Sequence, residues 1–183
     1  MKLYFRFVRA LLRALLTNSG PGHSDESVVE YRVWPTDLDF NLHLNNARYL
    51  SFMDLGRLDL LAKLGLLKPM LRFKWTPVVG AVTLRFRRGL DPWMRFTLHS
   101  RVLGWDEKWF YLEQRFLRDG EVYAFGLVRA LFRGPEGSIV PEAVLAAFGR
   151  PIHSPELPPA CLQWRNALEA AGTREPADLR RSA

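Results

Sequence analysis

Residues Asp37 to Tyr49 read DLDFNLHLNNARY, and the fold turns on what this stretch becomes. A carboxylate, an amide and an imidazole stand at Asp39, Asn41 and His43, every second residue. In an extended segment such residues point to one face, so the three can converge on one pocket. The stretch then runs into a helical pattern. From Ala47 to Leu67, apolar residues fall at Leu50, Met53, Leu58, Leu61 and Leu64, the spacing of one helix face through most of its length. Asn45 or Asn46 suits the cap at its start, and Gly65 and Pro69 mark where it weakens and stops. At that start, unpaired backbone N–H groups near Asn46 and Ala47, together with the helix dipole, can hold a developing oxyanion. A carboxylate base or nucleophile beside an oxyanion site is the minimum equipment for ester or thioester hydrolysis. The plainer account makes Asp37, Asp39 and Asn45 turn and cap residues, with His43 and Asn46 satisfying buried backbone groups under the helix.

Around this centre the elements follow in a readable order. Ser27 to Trp34 (SVVEYRVW) is β-rich and closed by Pro35. After the helix come four strand-like stretches, Val78 to Arg88, Met94 to Leu103, Trp109 to Arg118 and Glu121 to Phe132. Apolar and basic residues alternate in the first two, and Asp119-Gly120 between the last two is a strong hairpin signal. Strand, loop, long helix and four consecutive strands make an α+β layout, a sheet wrapped on one central helix. A helix of about 18 residues is about 27 Å long, enough to run along such a sheet. Beyond Pro141 lie a short helix at Glu142 to Phe148, a Pro-rich stretch, and a helical pattern near Leu162 to Ala171.

Composition narrows the function classes. Apolar residues are 48% and charged residues 25% of 183, the profile of a globular domain rather than a disordered or collagenous chain. The net charge of +7 favours an anionic partner. Cys161 is the single cysteine, so no intrachain disulfide or thiolate cluster can form. The four histidines have no zinc-ligand spacing, and no metal site is expected. No run of 18 apolar residues exists. Met1 to Leu16 reads as an amphipathic helix whose Lys2, Arg6, Arg9 and Arg13 form a narrow cationic stripe. It suits either packing on protein or a peripheral seat on an anionic membrane. The organisation expected is this helix over 1–17, a linker over 18–27, the main domain over 28–150 and a C-terminal extension over 151–183.

The run Asp37-Leu-Asp-Phe-Asn-Leu-His-Leu-Asn-Asn-Ala-Arg-Tyr-Leu resembles the D-x-x-x-H-x-N-N-x-x-Y-L signature of hotdog-fold thioesterases of the 4-hydroxybenzoyl-CoA type. It is similar as well to the D-L-D-x-N-x-H-x-N-N-x-x-Y stretch of plant-type acyl-ACP thioesterases. More of the chain, including Gly104-Trp-Asp-Glu-Lys-Trp-Phe-Tyr-Leu-Glu and Pro155-Glu-Leu-Pro near Trp164, resembles the thioesterase superfamily member 6 family. The resemblance covers roughly residues 28–164. It implies a hotdog fold, an antiparallel sheet of about five to six strands around one long helix, usually dimeric with sites at the subunit interface. By position it makes Asp39 the acidic catalytic residue, Asn41 and His43 the amide and imidazole of the acyl-ACP enzymes, and Asn46 and Tyr49 shapers of the loop and helix start. Two departures stand out: many relatives carry Gly just before the His, where this chain has Leu42, and Glu where it has Asp54.

The expected function is hydrolysis of acyl-CoA or acyl-carrier-protein thioesters, with coenzyme A entering only as part of substrate or product and no other cofactor. Asp39 is the base or nucleophile, Asn41 and His43 orient it or the water, and Asn45, Asn46 and Tyr49 shape the oxyanion loop. Lys74, Arg85, Arg87 and Arg88 form a basic cluster, either a solvated strand face or a seat for the phosphates of coenzyme A or an acidic carrier. Nucleic acid is disfavoured, because no base-reading motif is visible. The expected assembly is a homodimer or homotetramer, and the default compartment is the cytoplasm, with residues 1–16 as the point of any contact with the inner face of a membrane. Two other readings stay open: a non-catalytic acyl-binding or membrane-associated scaffold, and an enoyl-thioester hydratase or dehydratase. The second would want a Pro after Asn41, and Leu42 stands there.

Overall fold

The computed structural model describes residues 26–147, 149 and 153–172. The helix expected over 1–17 and most of the linker after it lie outside the described residues. Strand β1 (Glu26–Arg32) leads through a 3-10 turn (Pro35–Asp37) and a loop into helix α1 (Asn46–Lys63). A short helix α2 (Leu67–Phe73) precedes strands β2 (Thr76–Phe86), β3 (Arg95–Trp105), β4 (Phe110–Arg118), β5 (Glu121–Gly134) and β6 (Gly137–Ile139). Helices α3 (Pro141–Ala147) and α4 (Pro159–Gly172) complete the described chain. The strands form one sheet in the order β1-β3-β4-β5-β2, with β6 beside β5, and every pairing is antiparallel. This is the α+β hotdog arrangement.

Helix α1 forms because its start is capped and one side is apolar. The Asn45 side chain accepts the Ala47 N–H at 2.9 Å, and a cap of this kind stabilises a helix by about 1 kcal/mol. Tyr49, Phe52, Met53 and Leu60 are buried against the sheet, each contributing roughly 1.5–3 kcal/mol by burial. Phe52 meets Phe96 edge-on at 5.2 Å, and Tyr49 meets Phe116 at 4.9 Å, geometry favoured by the ring quadrupoles. Gly56 sets how closely helix and sheet approach, since a Cβ there would lie 2.7 Å from Leu98 Cδ2 and Ser100 Oγ.

Buried polar groups in this layer are paired. Gln114, fully buried on β4, donates through Nε2 to the Met53 carbonyl at 3.0 Å and to Ser100 Oγ at 2.8 Å. Its Oε1 accepts from Arg57 at 2.8 Å. Ser27 donates to Asp59 at 2.6 Å.

Two boundaries differ from the sequence reading. Helix α1 ends at Lys63, and Gly65 takes a left-handed φ of 75° that redirects the chain. Residues 67–73 then form α2, which the sequence reading takes as the tail of one helix and its stop. Pro69 is the third residue of α2, where a missing N–H removes no intrahelical bond.

The C-terminal extension lies on the outer face of the sheet. There Tyr111, Leu127 and Cys161 are buried together, with Trp109, Leu157 and Trp164 packed around them. Gly104 admits this strap, because a Cβ there would lie 2.8 Å from Ser154 Oγ and 3.1 Å from the Pro155 carbonyl. Ser154 Oγ accepts the Trp105 N–H at 2.8 Å. Burial works to raise the Asp106 carboxyl, but hydrogen bonds from Tyr111, Lys108 and Trp109 and the Arg165 charge hold it below its ordinary value.

Candidate functional site

The Asp39–His43 segment is a closed turn rather than the extended stretch its alternation suggests. Leu38 and Leu44 pair as an isolated antiparallel bridge. Inside it, the Asp39 N–H donates to the His43 carbonyl at 2.9 Å and the Leu42 N–H to the Asp39 carbonyl at 3.1 Å. Leu42 adopts a φ of 59°, which leucine reaches only at a cost of roughly 1–2 kcal/mol. That left-handed residue breaks the period of two, so Asp39, Asn41 and His43 do not share the face of a strand.

Each of the three finds a different partner. Asp39 Oδ1 accepts the Asn41 N–H at 2.8 Å, a local turn that fixes the carboxylate. The Asn41 side chain is exposed. His43 Nε2 lies 3.3 Å from Asp91 Oδ1, both side chains about half exposed. Among the described residues no hydrogen bond or ion pair joins the side chains of Asp39, Asn41 and His43 to one another. Beside them the loop tip carries Phe40 and Leu42, 92% and 67% exposed.

Tertiary bonds hold the loop in place. The Leu44 N–H donates to the Leu90 carbonyl at 2.8 Å, and the Asn45 N–H to the Asp37 carbonyl at 2.9 Å. Asp37 is buried, accepts the Trp34 N–H at 3.0 Å and faces Arg48 at 3.9 Å; its task is to anchor the loop. Tyr49 is buried between Phe86 and Phe116. Burial pushes its phenol up to about 12, a hydrogen bond from the Leu90 backbone works against this, and the Asp39 charge adds to it.

At the helix start, Asn45 is the cap. Its bond occupies the Ala47 N–H, which removes that donor from the expected oxyanion pair. The Asn46 N–H remains without a hydrogen-bond partner among the described residues.

The basic cluster separates into two parts. Arg85 and Arg87 are exposed near the end of β2, without ion pairs among the described residues, and Arg88 pairs with Glu121. Lys74 is the C-cap of α2, before β2 begins. At about 3.3 Å per residue, the 11 to 13 positions from Lys74 to Arg85 and Arg87 put roughly 35–45 Å between them. Within one chain only the arginines lie near the loop, because Gly89 and Leu90 follow them directly.

Two residues escaped the sequence reading. Asp91 carries no motif signal, and its pairing with His43 bridges 48 positions. Arg57 joins Asp54 to buried Gln114; burial draws its guanidinium below the ordinary value while the Asp54 charge and hydrogen bond oppose that shift. In the sequence Asp54 carries only the signal of a Glu shortened by one methylene.

Comparison with known proteins bears on this geometry. The family model of the thioesterase-like superfamily matches residues 33–164. Protein THEM6 of Danio rerio is 44% identical over 118 residues, which is 63% of this chain and 58% of the relative. A probable thioesterase of Saccharomyces cerevisiae is 30% identical over 119 residues, 63% of this chain and 51% of the relative. The chain thus spans less than two thirds of the length of these relatives. Among solved structures, a hypothetical protein from Staphylococcus aureus in complex with CoA superposes with a TM-score of 0.59 at 17% identity, covering 73% of this chain and 90% of that one. That likeness carries the fold.

Proposed function

The chain belongs to the thioesterase-like superfamily, and on that premise we propose that it hydrolyses acyl-CoA or acyl-carrier thioesters at the Asp39 loop. The observation that carries the reading is a carboxylate fixed at a turn beside a helix N-terminus with one open N–H. Asp39 Oδ1 is occupied by the Asn41 N–H, which leaves Oδ2 to take a proton from water. The water oxygen adds to the thioester carbonyl carbon, and the resulting oxyanion is held by the Asn46 N–H and the helix dipole. Collapse breaks the C–S bond, and the thiolate leaves with the proton from Asp39. The roles assigned to Asn41 and His43, on the same loop, are to orient this water.

The proposed assembly is a homodimer through β2. Among the described residues this strand pairs only with β5, so its other edge is open over 11 residues, and Val79 and Phe86 on it are 41% and 44% exposed. An open edge of this kind is a template for another strand. Antiparallel pairing of two copies sets the start of one β2 beside the end of the other. Lys74 of one protomer then approaches Arg85 and Arg87 of its partner, which rebuilds the expected phosphate-binding cluster across the interface.

A second reading, an acyl-binding scaffold without turnover, draws on the separation of the Asp39, Asn41 and His43 side chains. Thiol release from a panel of acyl-CoAs and acyl-carrier thioesters, short to long and aromatic, divides the two. Turnover on any of them supports hydrolysis. Bound acyl ligand with no turnover by a folded protein overturns it and leaves the scaffold.

A further inference from the structure

We propose that helix α2 docks the protein on an anionic lipid surface, with Leu71 and Phe73 entering the acyl boundary and Lys68 and Arg72 on the headgroups. The inference goes beyond the thioesterase reading and does not depend on it. The Asp39 loop precedes α1 and α2 follows it, so the 18 residues of α1, about 27 Å of helix, separate the two.

Among the described helices α2 alone has no buried residue. Its attachment is one-sided. Met70 and Trp75 pack against the core, and the Trp75 N–H donates to the Met70 carbonyl at 2.8 Å. At about 100° per residue, Lys68 and Arg72 fall together on the side opposite Met70, with Leu71 and Phe73 to either side of them. Leu71 is 74% exposed and Phe73 40%. The Phe73 ring stacks on Trp75 at 4.9 Å, and the Arg72 guanidinium lies 5.4 Å from its centre. Exposed apolar side chains beside basic ones suit the membrane interface, where long cationic side chains lay their stems on apolar surface and keep their heads among the headgroups.

Charge selects the occupant. Between Asp59 and Asp91 the chain has seven basic residues and no acidic one. Lys68 and Arg72 are exposed and make no ion pair among the described residues. Two copies of such a face repel each other, whereas an anionic bilayer attracts every basic residue near its surface. Met1–Leu16 is no better a partner, because it carries Lys2, Arg6, Arg9 and Arg13 and no carboxylate.

The path of the chain supports the same occupant. Ser27, at the start of β1, donates to Asp59 at 2.6 Å, and Lys63 lies 3.7 Å from the same carboxylate. Helix α1 ends at Lys63 and α2 begins at Leu67, so β1 starts at the α2 end of the molecule. Residues 17–25 therefore tether the cationic stripe of residues 1–16 to that end, across a span of at most about 30 Å. Stable peripheral anchoring takes two signals, and two basic, apolar segments share this end.

The test is co-sedimentation of the full chain with phosphatidylcholine vesicles that contain one third phosphatidylglycerol, and with phosphatidylcholine alone. Wild type is expected to bind the anionic vesicles and to be released by high salt. Lys68→Gln/Arg72→Gln is expected to weaken that binding about 30-fold, the scale of two basic residues at an anionic surface, and Leu71→Ser/Phe73→Ser about 10-fold or more. Sedimentation velocity without vesicles is expected to find the same oligomeric state in all three proteins. The charge pair alters only side chains that point away from the body, and it decides alone should the apolar pair lose its fold. A wild type that ignores the anionic vesicles, or binding that the charge pair leaves untouched, would overturn the proposal. A folded Leu71→Ser/Phe73→Ser variant with a changed oligomeric state would overturn it too, because the face would then be an interface between copies.

Discussion

The β4–β5 hairpin and the Leu38–Leu44 loop both reverse the chain through left-handed backbone, with opposite choices of residue. The hairpin turns at Asp119 (φ 50°) and Gly120 (φ 79°), a pair whose local preference already favours that turn. The loop turns at Leu42, which resists it. What holds the loop is tertiary: the Leu38–Leu44 bridge, the Leu44 bond to Leu90, the Asn45 bond to Asp37 and the His43 contact with Asp91. One turn is written locally and serves the fold. The other is imposed by its neighbours, and it is the one that carries the candidate chemistry.

This contrast breaks most visibly at Gly89. Changing Gly89→Ala puts a methyl 2.6 Å from His43 Cδ2, so the ring must leave Asp91. Activity is expected to drop about 10–100-fold, as when a supporting contact of a reactive group is lost, while thermal melting moves by only a few degrees. A melting temperature that collapses along with activity would mean the contact serves packing rather than function. At the hairpin, Gly120→Ala forces alanine into a left-handed φ and is expected to cost about 1 kcal/mol of stability with no change in turnover, measured by urea unfolding. The smallest effect is the mirror of it. Leu42→Gly relieves roughly 1–2 kcal/mol of strain but adds unfolded-chain entropy worth roughly 0.5–1 kcal/mol, so stability should rise by up to about 1.5 kcal/mol. Turnover should fall, because the loop loses its stiffness. Turnover that does not fall would mean that the strain at Leu42 does not serve the reaction.

The same contrast explains what could be read in advance. Helix α1 and the hairpin were legible because periodicity and the Asp-Gly pair are local signals. The C-terminal helix was legible in outline, but its seat on the outer face depends on Gly104 meeting Ser154, a contact across 50 positions. Helix α2 was hidden because Gly65 and Pro69 together look like a stop, while the structure uses one to redirect the chain and the other inside a first turn. The loop residues stood out by their residue types and spacing and by resemblance; their arrangement did not follow from alternation, since Leu42 gives no sign of a positive φ. The glycine that many relatives carry at that position was the available clue. Nothing local to Asp91 marks its contact with His43, which exists only once the β2–β3 connection brings Gly89 and Leu90 under the loop.

The most direct test of the account is the rate of thiol release from an acyl thioester by wild type and by Asp39→Asn, measured side by side on protein shown to be folded and of the same oligomeric state. The substitution keeps the side-chain oxygen that accepts the Asn41 N–H but removes the charge that takes a proton from water. The account predicts a fall in kcat of about 10²–10⁴-fold, the range of a lost general base, with KM nearly unchanged. An Asp39→Asn variant as fast as wild type would contradict it.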